Sequence, residues 1–302
     1  MQPALSVIFF TVMSGAGFGL MAMLGLGVPL PQEPVFAFMI CAVAAGLAIA
    51  GLISSTFHLG HPERAWRAFS QWRSSWLSRE GVLSVVTLLV FALYSVNWVF
   101  NGERHLLLGL VLAALAVFTI FATAMIYAQL KTVPSWNTWL TPACYVAFGL
   151  ASGLLLATAF TTGNKEAFMK VTSGLVIIAW CVKFMWWKRA DTIGFSETGS
   201  DAGTATGLGD IGTVKLLERP HTGENYLTKE MVHQIGRKHA QKLRMISKVL
   251  GGLVPAIIAA LVWITGAPSI LLVFAFLIMI IGLFAERWLF FAEAKHSLTH
   301  YY

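Results

Sequence analysis

The sequence predicts an all-α integral membrane protein: a bundle of eight transmembrane helices with a long cytoplasmic loop between spans six and seven. Three observations carry that prediction. The 302 residues are 57% hydrophobic and 12% charged, with a mean hydropathy of +0.72, and a soluble protein of this length needs far more polar surface. The apolar residues gather in runs of roughly 20, the length that crosses a hydrocarbon core as a helix. Polar connections separate the runs, and the one before the seventh run is about 55 residues long.

The first run, about 3–28, lacks a basic leading segment and continues past Leu26, so it reads as a span rather than a removable signal. The second, 34–58, ends where Gly60 and Pro62 break the helix. The others are expected at about 81–101, 106–130, 138–161, 167–188, 246–265 and 268–290. Residues 1–302 thus form one membrane domain, interrupted by the polar stretch 189–245.

Eight spans put both termini on one side, with the 2–3, 4–5 and 6–7 connections. That side holds eighteen Lys and Arg, among them Arg64, Arg67, Arg73, Arg79 and, counted with the tail, Arg287. The other side holds Arg104, Lys165 and Lys170. The excess of cations on inner loops places the termini and the long loop in the cytoplasm. Anionic headgroups account for the net charge of +7 without nucleic acid. Cys41, Cys144 and Cys181 stand alone in apolar stretches with no C-x-x-C, so the chain by itself holds no iron–sulfur cluster or thiolate zinc site.

In the long loop, "GLGDIG" (Gly207, Gly209, Gly212) matches the dinucleotide fingerprint, but the strand before it and the helix after it are missing from the pattern. A flexible or partner-ordered loop is the ordinary reading. Residues 227–248 repeat Leu227, Met231, Ile235, Leu243 and Ile246 at helical spacing, with Arg237, Lys238, Lys242 and Lys248 among them. That suits an amphipathic helix on the inner membrane surface, or a docking face for a cytoplasmic partner.

Most polar chemistry collects in "STFHLGHPERAWRAFSQWRSSWLSRE", residues 54–79, followed by Glu80. His58 falls where hydrocarbon gives way to headgroups. An imidazole there hydrogen-bonds a quinone carbonyl and titrates near neutral pH, which suits coupled proton and electron transfer. Arg64 and Arg67, a helical turn apart, suit a common partner or an anionic reduced intermediate, and Glu80 suits a proton relay. The plainer alternative is an imidazole capping a helix end, arginines enforcing topology, and Trp66, Trp72 and Trp76 in an interfacial belt. Trp136 and Tyr145 are also expected in the belt. A bis-histidine haem needs two facing imidazoles inside helices, and only His58 and His61 approach a span, on one helix end. A secondary transporter, the rival from another class, needs ionisable groups near mid-membrane on broken helices. The spans have almost no charge at their middles, and Lys183, near the end of span six and the closest thing to an exception, is placed to snorkel inward.

"HLG-x-P-x-R-A" (His58, Leu59, Gly60, Pro62, Arg64, Ala65) with "SWLSRE", and "TVPSW" (Thr132 to Trp136), resemble segments of the dimethyl sulfoxide reductase anchor subunits, DmsC. The resemblance covers most of the chain. It implies an anchor in a complex of three subunits: a molybdopterin catalytic subunit, a ferredoxin-like subunit with four iron–sulfur clusters, and an anchor that exchanges electrons with quinone. It ties His58 to quinol binding and leaves the metals to the partners. Arg73, Arg79, Arg237, Lys238 and Lys242 are the expected docking cations. The segments "ATGLG", "ERPHTGENYL" and "RKHAQKLR" resemble anchors of cytoplasmic sulfite-oxidising complexes, the SoeC type. Sulfite oxidation is therefore preferred over sulfoxide reduction with menaquinol. The expected location is the bacterial inner membrane.

Overall fold

The computed structural model describes residues 4–193, 199, 201–215, 217, 218 and 239–297, with His58 described by its backbone alone. Among the described residues, eight helices are long and apolar enough to cross a membrane: α1 Leu5–Gly25, α2 Pro34–Ser54, α3 Trp76–Asn101, α4 Leu106–Ala128, α5 Leu140–Ala159, α6 Lys165–Thr192, α8 Ala240–Thr265 and α9 Leu271–Ala292. A five-residue helix, α7 (Ala202–Thr206), lies between α6 and α8. No strand occurs among the described residues. In hydrocarbon every backbone amide must be satisfied internally, and helices do this residue by residue.

Burial sorts the spans into centre and rim. The most apolar stretches of α1 and α5 are 78% and 83% buried, against 28% and 33% in α3 and α2, which show their aliphatic side chains to lipid. The two inner helices approach closely because their contact faces have no side chains. A Cβ on Gly19 would strike the backbone of Gly149, and one on Gly153 would strike Gly19. Gly17 stands likewise against Ala48 of α2, and Gly25 against Gly109 of α4. Lipid tails are as apolar as leucine, so close backbone packing takes the place of hydrophobic burial as the force between spans.

The seventh span contains a π-turn for an identifiable reason. Pro255 has no N–H, so the Gly251 carbonyl loses its usual helical donor. The backbone widens into a π-turn over Val249–Leu253, and the Trp180 indole of α6 donates to the freed Gly251 oxygen at 3.0 Å. Gly282 of α9 packs directly on Gly251.

Polar ties close the ends. At one end Arg104 donates to the Val28 carbonyl at 2.7 Å, Tyr94 donates to Leu24 at 2.8 Å, and Thr162 N–H donates to Pro29 at 2.9 Å. At the other, called the basic end below, Ser54 donates to Ser6 at 3.0 Å and Ser297 N–H donates to Thr132 at 2.9 Å.

Two helices start earlier than hydropathy alone suggests. The third begins at Trp76, which brings Glu80 inside it, and the seventh at Ala240. Around "GLGDIG" the described residues run helix then turn: Asp201 caps α7, Gly207 leaves it at φ 68°, and Gly209 folds back on Gly203. A dinucleotide site needs the reverse order, a turn that opens a helix. Of the amphipathic stretch expected at 227–248, residues 227–238 lie outside the described residues.

Candidate functional site

The stretch selected from the sequence divides into an exposed part and a buried part. The second span closes with a 3-10 turn, Ser55–His58, in which Ser55 and Thr56 hydroxyls return to the Leu52 and Ile53 carbonyls. A second 3-10 helix, Pro62–Phe69, follows. Arg64 and Arg67 are both exposed on it. The first lies 3.8 Å from Glu63, and the second lies over the Trp66 ring at 5.7 Å. Arg73 is exposed beside Trp72. Arg79 is spent within the loop, donating to the Trp72 and Arg73 carbonyls at 3.0 and 2.7 Å and lying 4.4 Å over Trp76. Glu80 faces inward. It is only 6% exposed, and Ser84 donates to its Oε1 at 3.1 Å. Lys242 is exposed near the start of α8, whereas Arg237 and Lys238 lie outside the described residues.

At the same end of the bundle lies an ionic cluster that the sequence reading misses. Lys183 of α6 and Glu286 of α9 are 0% exposed, and Arg287 is 4% exposed. Glu286 serves both cations: Lys183 Nζ is 2.5 Å from Oε1, and Arg287 Nε donates to Oε2 at 2.5 Å. The Lys183 ammonium rests 3.8 Å from the centre of the Trp186 ring, and the Arg287 guanidinium 4.0 Å from that of Tyr145. Lys183 therefore does not snorkel to water; Glu286 and the aromatic faces hold it inside.

Trp136 and Tyr145, expected in the interfacial belt, are instead 1% and 6% exposed in the core. Trp136 stacks on Phe290 at 5.0 Å and donates to its carbonyl at 2.9 Å, so the "TVPSW" segment is bolted to α9. Tyr127 of α4 stacks on Tyr145 at 6.0 Å and lies within electrostatic reach of both Glu80 and Arg287. Tyr145 thus links Tyr127 to the Arg287 guanidinium through ring contacts in an aromatic core.

A second ionic group caps the first. Arg244 of α8 makes a bidentate pair with Asp191, at 2.7 and 2.8 Å, and donates to Glu293 at 2.8 Å. Burial raises the Glu293 carboxyl from its ordinary value, against the pull of Arg244. This group carries one net negative charge and the deeper one carries one net positive charge. They share Trp187, over which Lys183 and Arg244 lie at 5.1 and 5.2 Å. Two opposite excesses within one wall of the bundle lower the cost of burying either.

All of this lies near one face of the membrane. Arg287 is five residues from the end of α9 and Tyr145 five from the start of α5, roughly 8 Å of helix in each case. Ionisable groups at such depth bind ligands or move protons more often than they serve packing alone. Among the described residues, no three His, Cys, Asp or Glu side chains converge as metal ligands.

A polytopic helical protein with its polar chemistry gathered at one rim is the class that fold and site define. The sequence matches the DMSO reductase anchor subunit (DmsC) family over residues 1–292. The chain belongs to that family. It is 35% identical to the C subunit of sulfite dehydrogenase from Allochromatium vinosum, over 100% of this chain and 99% of that protein. It is 25% identical to the C component of anaerobic dimethyl sulfoxide reductase from Haemophilus influenzae, over 54% of this chain and 60% of that protein. It is 30% identical to YnfH, a component of anaerobic dimethyl sulfoxide reductase from Escherichia coli, over 43% and 48%.

Proposed function

We propose that this chain is the quinone-reactive anchor of a sulfite-oxidising molybdopterin/iron–sulfur complex in the bacterial inner membrane. The observation that carries the reading is the end-to-end relationship to the C subunit of a sulfite dehydrogenase. A dimethyl sulfoxide reductase anchor that takes electrons from menaquinol is the second reading, favoured by the two partial matches. The chemistry at the quinone is the same in both, run in opposite directions.

Quinone enters beside the 3-10 turn that ends α2, and His58 hydrogen-bonds one carbonyl oxygen. A quinone that gains two electrons must also gain two protons. Glu80, buried one helical turn into α3 with Ser84 as its partner, relays protons between the loop and the interior. Arg64 and Arg67 offer positive charge at the surface to a reduced, anionic intermediate. The iron–sulfur subunit docks on the same cytoplasmic face, against Arg73, Lys242, Arg237 and Lys238, with Arg79 holding the docking loop in shape. Both termini are cytoplasmic. Molybdopterin and the iron–sulfur clusters belong to the partner subunits.

Purification of the intact complex from native membranes tests this reading. Molybdenum and iron are expected to copurify with this protein, and 2-heptyl-4-hydroxyquinoline N-oxide is expected to bind. His58→Ala is expected to weaken that binding about tenfold, the equivalent of one hydrogen bond of roughly 1.4 kcal/mol. Unchanged binding in a fully assembled His58→Ala complex removes that residue from the site.

A further inference from the structure

Among the described residues, the two buried Nη groups of the Arg287 guanidinium meet no acceptor beyond the neighbouring Tyr145 hydroxyl, and that hydroxyl gives its own hydrogen to no acceptor. Both side chains line a cavity of about 20 Å³ between α1, α5 and α9. Thr11 and Ser152 share the lining, but their hydroxyl hydrogens are already given to the Ile8 and Gly149 carbonyls at 3.1 and 3.0 Å. The unspent groups are donors, most of the Arg287 Nη–H bonds and the Tyr145 O–H, beside a cluster with one net positive charge. A buried charged donor left unmatched is unfavourable, so the site calls for an acceptor.

The shape narrows what that acceptor is. A volume of about 20 Å³ holds one oxygen atom and no ring. The remaining lining is apolar, including Phe148 and Leu283, and Gly15 borders the cavity with nothing within 4 Å of where its side chain would stand. An oxygen can therefore enter while the apolar body that carries it stays outside, beside Gly15. Thr11 is six residues into α1, about 9 Å from its start, and thus near the depth of Arg287 and Tyr145.

We propose that this cleft is a second quinone contact, at which Arg287 and Tyr145 donate hydrogen bonds to a carbonyl oxygen of the quinone head group. The proposal rests on the quinone-reactive reading above and adds a site that neither His58 nor the 54–80 loop supplies. A guanidinium in this position also stabilises the oxygen as it gains negative charge on reduction, which favours the reduced head group over a neutral lipid ester.

The test uses the assembled complex with verified iron and molybdenum content. Binding of 2-heptyl-4-hydroxyquinoline N-oxide is titrated in the wild type and in Tyr145→Phe and Gly15→Val. The first change removes one donor, and the second fills the entrance without touching a polar group. Each is expected to weaken binding about tenfold, with assembly intact. If the wild type binds the analogue and both variants bind it equally well, water or a lipid carbonyl fills the cleft and this proposal falls while the quinone reading stands. If the wild-type complex binds no analogue at all, the quinone reading itself fails and takes the second contact with it.

Discussion

Glu286→Ala is expected to destabilise the protein by about 3–5 kcal/mol, the cost of stranding a buried charge when its partner is removed. Here two cations are stranded at once, because one Glu286 oxygen meets Lys183 and the other meets Arg287. Solvent does not reach either: Lys183 is 0% exposed and Arg287 4%. The variant is expected to aggregate on extraction, or to melt far below the wild type in detergent. A companion in which Lys183, Glu286 and Arg287 are replaced together by methionine, leucine and methionine should recover most of that loss, since apolar side chains of similar volume often replace buried ion clusters at little cost. Thermal unfolding followed by tryptophan fluorescence reads both, with Trp186 and Trp187 beside the Lys183 ammonium as reporters. Wild-type stability in Glu286→Ala would mean that the cluster is not held as described.

Gly19→Val should be comparably damaging by a different route. A Cβ at Gly19 would fall on the Gly149 backbone, and a backbone does not rotate away as a flexible side group does. Overpacking costs roughly 1–3 kcal/mol where neighbours shift, and more where they do not. The two central helices must then part, with consequences for every span packed on them. One turn away, Gly15→Ala is expected to be nearly neutral, because nothing lies within 4 Å of the added carbon. Comparing the yields of monodisperse protein from the two variants checks the prediction; equal yields would contradict the close α1–α5 approach.

The spans are legible because a bilayer imposes one length and one polarity on any helix that crosses it. Helix starts are less so. "SWLSRE" is polar enough to fall below a hydropathy threshold, yet it is helical from Trp76, and that extra turn puts Glu80 inside the protein. Arg64 and Arg67 stand close to Glu80 in sequence, but the fold turns them outward and Glu80 inward.

The ionic cluster escapes a sequence reading for a related reason. Lys183 and Arg287 lie within three turns of helix ends, where cations ordinarily reach for headgroups and serve topology. Their meeting on Glu286 depends on how α6 and α9 pack, which a single sequence does not record. One clue is present: Glu286 and Arg287 have unbroken apolar residues on both sides, from Met279 to Ala285 and from Trp288 to Ala292. A charged pair inside such a run marks a buried partner more readily than a surface. Trp136 is hard to place likewise, since its stacking on Phe290 joins residues far apart in sequence.

The most direct test of the anchor reading is the rate at which the purified complex reduces decylubiquinone with sulfite as donor, measured with and without this protein. Quinone reduction should require it, while sulfite oxidation with a soluble dye as acceptor persists in the two remaining subunits. Equal quinone reduction by the two-subunit form would contradict the account, because electrons would then reach the quinone without passing this protein.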